Sequence, residues 1–215
     1  MGQKINPRIL RLGAIATWSS RWFAGKDYKD LLLEDFKIRK ALMERLKAAG
    51  VSEIEIERSI NSLKITAYVS KPGMVIGRGG TGLEDLKTYL QKEFIKKLNT
   101  KAQYKIDIKV EPIKEPNLDA YLVGKNIAEQ LIKRLPAKRI LASTGEKVMG
   151  SGARGVRIVL AGRIGGAEIA RREKLQLGTV PLSTIREDIG YASYPALTKK
   201  GYIGVKVWIH KPEEK

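Results

Sequence analysis

Six residues, Gly77-Arg78-Gly79-Gly80-Thr81-Gly82, satisfy the spacing G-x-G-x-x-G. Glycines at that spacing let a main chain approach a phosphate with no Cβ in the way. The pattern is a dinucleotide fingerprint only where a strand runs directly into it within a βαβ unit. Here the preceding alternating run ends near Val69, and Lys71-Pro72-Gly73 intervenes. The next acid in a strand-like run is Asp107, between Ile106 and Ile108 rather than at a strand end. No G-x-x-x-x-G-K-[ST] sequence occurs, so P-loop phosphate cradling is absent as well. Other reactive groupings are thin. The chain has no cysteine and one histidine, His210. That removes thiolate and multi-histidine metal sites, cysteine nucleophiles and most histidine general-base schemes. No carboxylates cluster with metal spacing. The expectation is a protein that is not an enzyme, with no cofactor, no metal and no small-molecule substrate.

The charge points elsewhere. The chain has 215 residues and 24.0 kDa, with 41 Lys and Arg against 23 Asp and Glu, a net charge of +18. Hydrophobic residues make up 43% of it, enough to bury a core. Residues 1–26 hold five basic residues and no acid, and residues 27–115 hold eighteen basic against fourteen acidic. Residues 116–215 hold eighteen against nine. The middle therefore reads as a solvated, balanced surface, while the ends carry the excess. Such one-sided charge opposes compaction unless a polyanion lies alongside. No apolar run approaches a membrane span, and the N-terminus lacks the apolar stretch of a signal peptide. A soluble intracellular protein with a polyanionic partner and no membrane partner is expected.

The elements that must carry these residues follow from periodicity. Asp27 and Asp30 suggest a capping box, and Leu32, Phe36, Met43 and Leu46 fall on one helical face that ends at Gly50. Residues 53–57 and 64–69 alternate strictly, with Asn61-Ser62 between them, which predicts a hairpin. After the glycine stretch, Leu83, Leu86, Leu90, Phe94 and Leu98 line a second helix, acidic early at Glu84 and Asp85 and basic late at Lys96 and Lys97. Residues 105–110 form a third alternating strand. Pro112 and Pro116 then mark a domain boundary. Beyond it, a helical stripe runs from Leu118 to Leu135 and a shorter helix from Ala137 to Met149. Strands are expected around 156–161, 167–177 and 202–209. Trp208 reads as packed and His210 as structural, and Glu168 as an ion-pair organiser among arginines.

In that order of elements, Val75-Ile76-Gly77-Arg78-Gly79-Gly80 resembles the I-G-x-x-G loop of the KH module, which clamps unpaired nucleotides. Gly77 and Gly80 would admit the sugar–phosphate backbone, and the helix from Thr81 would offer free N–H groups. Arg78 would add a charge. An isolated G-x-x-G is equally a helix–helix turn that needs glycine. The order helix–strand–strand–loop–helix–strand favours the type II KH domain.

Longer motifs extend the likeness. Gly2-Gln3-Lys4-Ile5-Asn6-Pro7 with Arg11-Leu12-Gly13, the run from Gly162 to Arg171, Val180-Pro181-Leu182 and Gly204-Val205-Lys206-Val207-Trp208-Ile209 resemble the family of bacterial small-subunit ribosomal protein three. The implied fold class is α+β. A type II KH domain (27–112, a three-stranded sheet with helices on one face) would follow a basic extension (1–26). A C-terminal domain (113–215) would pack two helices on a mostly antiparallel sheet. The resemblance implies a structural protein of the small-subunit head that binds rRNA and lines the mRNA entry channel. Its implied protein neighbours are head proteins ten, fourteen and two, and channel proteins four and five. It assigns RNA contact at the KH loop to Gly77, Arg78, Gly79 and Gly80. It assigns rRNA contact to Lys4, Arg8, Arg11, Arg21, Arg163, Arg171 and Arg172. Lys138 and Arg139 match two basic positions at the mRNA entrance; a third, lysine in some members, is here Ala142. Trp18, Trp22 and Phe23 would either stack on bases or dock into protein. The alternative is a free-standing KH regulator of single-stranded RNA, which the placement of charge outside the KH segment disfavours.

Overall fold

The computed structural model describes residues 4–59, 62–92 and 105–212. The expected late part of the second helix, with Phe94, Lys96, Lys97 and Leu98, lies outside them, as do Gly2, Gln3 and Asn61. The chain divides into two compact units, Trp18–Lys114 and Met1–Thr17 together with Glu115–Lys215. The first helical turn, α1 (Pro7–Leu10), belongs to the second of these. Residues of the basic extension are thus shared between the two units.

In the unit Trp18–Lys114, the alternating runs form β2 (Val51–Arg58), β3 (Ser62–Val69) and β4 (Lys105–Pro112), and a two-residue strand, β1 (Ser20–Arg21), joins the edge. The sheet order is β1-β2-β3-β4, with β2 and β3 antiparallel and the other pairs parallel. The expected three-stranded sheet therefore has a fourth, short strand. Ile54, Ile56, Ile65, Ala67, Val69, Ile106 and Ile108 turn one face inward. Against this face pack α2 (Tyr28–Arg45), α3 (Pro72–Ile76) and α4 (Thr81–Leu90) through Ile38, Leu42, Val75, Leu86 and Leu90.

Helix α2 corrects the first half of the predicted stripe, while Met43 and Leu46 pack on the core as expected. Leu32 and Phe36 are exposed, and Asp35, Ile38 and Leu42 are buried instead. The cause is electrostatic. The Asp35 carboxylate is fully buried and accepts from Ser20 Oγ at 2.8 Å, Trp22 Nε1 at 2.7 Å, and Arg58 Nε and Nη2 at 2.8 and 2.6 Å. A buried charge must have such partners, so the helix turns Asp35 inward and Phe36 outward. Asp27 makes no capping bond, because its φ of −90° and ψ of 14° are not the extended cap conformation.

In the other unit, β5 (Gly155–Gly162), β6 (Arg171–Gly178), β7 (Ile189–Thr198) and β8 (Gly201–His210) form an antiparallel sheet in the order β6-β5-β8-β7. Helices α5 (Ala120–Ile132) and α6 (Ala137–Gly150) pack on one face around Ile127, Ile140, Ile158, Leu160, Val205 and Val207. Gly145 lets α6 sit close to β6: a Cβ there would meet Leu175 Cδ2 at 2.8 Å and Leu177 Cδ1 at 2.9 Å. The opposite face of the sheet holds Val159, Ile189 and Trp208. Trp208 is packed as expected, 5.2 Å from the Tyr191 ring and 5.3 Å from the Arg157 guanidinium. His210 is buried, with Nδ1 3.0 Å from Thr179 O and Nε2 2.8 Å from Glu187 Oε2. Both ring nitrogens thus lie within hydrogen-bond distance of an oxygen, which fits a structural role for His210.

Helix α5 ends in a Schellman arrangement: Arg134 N–H donates to Leu131 O at 3.0 Å and Leu135 N–H to Gln130 O at 3.3 Å. Glycine normally takes the left-handed position, but here Arg134 does, with φ of 61°. Replacing it should relieve the strain. Arg134→Gly is expected to stabilise the chain by about 0.5–1 kcal/mol in denaturant melts. A less stable variant would show that the arginine side chain makes up for its backbone. A second expectation concerns acid. The His210 hydrogen bond, with His210 and Arg154 as nearby cations, holds the Glu187 carboxyl below the usual carboxylate range. A group with a lowered folded pKa stabilises above its unfolded pKa and loses that contribution as pH falls through the folded one. Glu187→Gln should therefore be less stable than the parent near neutrality, with the difference shrinking below about pH 4. A gap that stays constant through the acid limb of a thermal-melt series would exclude this linkage.

Candidate nucleic-acid interface

The glycine loop joins α3 to α4. It therefore follows a helix, not a strand, and the dinucleotide reading has no structural footing. Gly77 has φ of 70° and ψ of −178°, and a Cβ there would come within 3.0 Å of Gly82 N. Only glycine fits that bend. Arg78 and Gly79 are exposed, and Arg78's guanidinium makes no bond among the described residues. Thr81 Oγ1 ties the loop by donating to Arg78 O at 3.0 Å. Exposed Met74 and Ile76 lie beside it in sequence and supply apolar surface. The arrangement offers a close main-chain approach, one free cation and the start of a helix to a sugar–phosphate backbone.

The cations of the basic extension separate into different roles. Lys4 and Arg8 are exposed. Arg11 is not available: it is 1% exposed, and its guanidinium donates to five carbonyl oxygens. Nε reaches Glu187 O at 2.7 Å, Nη1 reaches Pro7 O at 2.9 Å, and Nη2 reaches Thr184 O at 2.8 Å, with Pro181 O and Leu182 O at 3.3 and 3.4 Å. The expected rRNA contact at Arg11 is thus corrected to an internal clasp on the 181–187 loop. Arg21 is exposed but bridges Glu55 at 3.1 Å and Glu57 at 3.2 Å, because β1 pairs with β2 in a register that places them side by side. Of the aromatics, Trp22 is docked on Asp35, whereas Trp18 and Phe23 are 68% and 97% exposed.

In the C-terminal unit, cations without an ion pair among the described residues gather at one corner. Lys133, Arg134, Lys138 and Arg139 crowd the α5–α6 corner, exposed and without an ion pair among the described residues. Lys138 and Arg139 stand in the first turn of α6, which contains no acid. Cations there oppose the helix dipole at a cost of a few tenths of a kcal/mol each. Arg163 Nε donates to Ala167 O at 2.8 Å, which aims the rest of the fork outward. Arg171 and Arg172 lie opposite Gly162 and Ala161 on the edge strand β6, so their side chains take opposite faces of the sheet and do not act as a pair. Glu168 is exposed and makes no ion pair among the described residues, which corrects its expected organising role.

A cavity of about 700 Å³ opens between the α5–α6 corner, the 163–166 loop and the β7–β8 turn. Lys138 and Arg163 line it, joined by Arg134, Lys199 and Lys200, which periodicity did not single out. Adjacent lysines at a hairpin turn were the readable signal. Among the described residues, no three carboxylate or imidazole side chains converge as a metal site, and no helix is long and apolar enough to cross a membrane.

Comparison with known families agrees with this division. A model of the KH domain matches residues 37–118, and a model of the ribosomal protein S3 C-terminal domain matches residues 127–209. A protein of Desulfitobacterium hafniense, named small ribosomal subunit protein uS3, is 46% identical over 213 residues, 99% of this chain and 94% of that one. Proteins of the same name from Exiguobacterium sibiricum and Bacillus cytotoxicus are each 47% identical over 213 residues, with the same coverage. With a KH fold ahead of an S3-type C-terminal domain and near full-length identity at this level, the chain belongs to the uS3 family of small ribosomal subunit proteins.

Proposed function

We propose that this chain is a structural constituent of the small ribosomal subunit that binds the subunit's rRNA and helps to form the mRNA entry channel. It would act in the cytoplasm, within the subunit, and it is not an enzyme. The observation that carries the reading is the α5–α6 corner. Four exposed cations stand within seven residues there, and two of them oppose their own helix dipole. A surface whose cations cost local stability and make no ion pair among the described residues suits an external polyanion. Lys138 and Arg139 are the residues assigned to mRNA; Ala142 leaves out a third cation and weakens the grip there. Lys4, Arg8, Arg163, Arg171 and Arg172 are assigned to rRNA phosphates, and the loop Gly77–Gly80 to an unpaired strand.

Protein neighbours need a different surface, and the KH unit supplies one. Leu32 and Phe36, one turn apart on α2, are 47% and 65% exposed, an apolar strip that the burial of Asp35 turns outward, and Phe23 is 97% exposed. Exposed apolar clusters of this kind mark protein contacts. We assign it to head proteins ten and fourteen, with two as a further neighbour, and place four and five beside the entrance.

The test is sedimentation of a lysate on sucrose gradients at low and moderate salt. The chain is expected with the small subunit in both; recovery mainly in the free pool with short RNAs would favour the regulatory KH alternative. Purified Lys138→Ala/Arg139→Ala protein should show a shallower salt dependence on single-stranded RNA, its log–log slope reduced by roughly 1.4. An unchanged slope would remove these two residues from RNA contact.

A further inference from the structure

The C-terminal sheet packs its helices on one face, and the other face is only half covered. At the end near His210, Val180 and Leu182 pack on the cluster of Val159, Ile189 and Trp208. The end near the β7–β8 turn is open. There Tyr202 and Leu197 stand directly opposite each other on β8 and β7, 67% and 58% exposed. They point away from the helices, because their sequence neighbours Ile203 and Ala196 are buried in the core on the helix side. Further along the same face come Arg172 and Lys174 on β6 and Lys206 on β8. All three are exposed and make no ion pair among the described residues. The four strands place no Asp or Glu on this face. Between Tyr202 and Lys206 the surface is low, since Gly204 pairs there with Ala161 and Pro195. Packing does not impose that glycine: a Cβ at 204 would meet only Ala161 O, at an ordinary 3.7 Å.

We propose that this open face is a second RNA surface, on the side of the sheet away from α5 and α6, and that it takes an unpaired strand with one base stacked on Tyr202. The base lies over the low floor at Gly204, and neighbouring phosphates rest on Arg172, Lys174 and Lys206. Charge decides between the candidate occupants. Tyr202 and Leu197 alone would suit a protein neighbour, but an acid-free surround with three unpaired cations suits a polyanion. A polyanion that also carries flat apolar faces is a nucleic acid, and its bases must be unpaired to expose them. Lys174 and Lys206 share a row two strands apart, about 10 Å, which spreads the charge along a polymer rather than around one phosphate. RRM modules present aromatics to single strands from a four-stranded sheet in the same manner. Stacking on a ring tolerates any base, so this surface holds a strand without reading its sequence.

The inference rests on the RNA-binding reading above, and a change of background separates the two. The parent chain and its Lys138→Ala/Arg139→Ala variant, in which the α5–α6 corner is weakened, are titrated with labelled oligouridine, and anisotropy is read at low salt. The variant is expected to keep part of the parent's binding. Adding Tyr202→Ala to it should weaken that remainder about tenfold, whereas Tyr202→Phe, which keeps the ring, should stay within about twofold. Adding Lys174→Ala/Lys206→Ala should lower the log–log salt slope by roughly 1.4. Gly204→Val, which fills the floor with a residue that strands favour, should weaken binding with no fall in melting temperature. Three results would overturn the second surface while the parent's binding upholds the RNA reading: no remainder in the corner variant, a remainder that Tyr202→Ala leaves unchanged, or equal losses in Tyr202→Ala and Tyr202→Phe. A parent chain that binds no oligouridine would sink both readings together.

Discussion

Two buried charges decide where the N-terminal residues of this chain go. Before α2 the chain has little regular structure: one helical turn and a two-residue strand, too few backbone hydrogen bonds to hold it. What holds it is the requirement that a charge taken out of water be fully partnered. In one unit the Asp35 carboxylate gathers Ser20, Trp22 and Arg58, and so draws β1 onto the edge of the sheet. In the other, the Arg11 guanidinium gathers carbonyls from α1 and from the 181–187 loop. Arginine suits that second role because five fixed donors match several carbonyls, which a lysine's point charge would not. The first residues thus serve each unit as a clasp, and only their remaining cations face outward.

This explains which parts of the fold were legible in the sequence. Strands with one buried face showed themselves by strict alternation, as in Ile54 with Ile56 or Val205 with Val207, and the helices after Pro116 showed a stripe. Strand β7 did not. Its buried residues Ile189, Ala192 and Ala196 are spaced by three and four, because Ile189 packs on one face of the sheet and the alanines on the other. Pro195 also argues against a strand, and it is tolerated only because β7 is an edge. The rotation of α2 was hidden for a different reason. Leu32 and Phe36 form as good an apolar stripe as Ile38 and Leu42, and the choice between them falls to Asp35, whose partners are distant in sequence.

The candidate site was legible in its charge and not in its geometry. Arg11 and Arg8 look alike in composition; one is buried by a carbonyl 176 residues away and the other is exposed. Arg21 has the same appearance and is drawn off by two glutamates on β2. Several other cations of the KH unit are likewise paired within its sheet and helices: Arg58 with Asp35 and Glu34, Lys64 with Glu57, Lys109 with Glu111. Those at the α5–α6 corner are not. The near balance of charge over 27–115 and the excess beyond it are the sequence form of that difference. The exposed pairs, Lys64 with Glu57 and Lys109 with Glu111, contribute little to stability, so their value lies in leaving the KH surface nearly neutral while the other unit stays cationic.

The corner also concentrates departures from local stability. Arg134 sits in a backbone region that favours glycine, Lys138 and Arg139 stand against the dipole of α6, and Glu173 keeps a buried oxygen without a donor among the described residues. Each departure is small and, taken alone, unremarkable in a natural protein. They fall together around one cavity, whereas Asp119 caps α5 through Leu122 N–H and Asp35 and Arg11 are fully satisfied; away from the corner, Arg157 Nε on β5 is also buried without an acceptor among the described residues. Local conflicts persist where surroundings over-determine them or where a ligand relieves them. A polyanion laid along the corner would relieve the second of them, because its negative charge offsets the cations that stand against the dipole of α6.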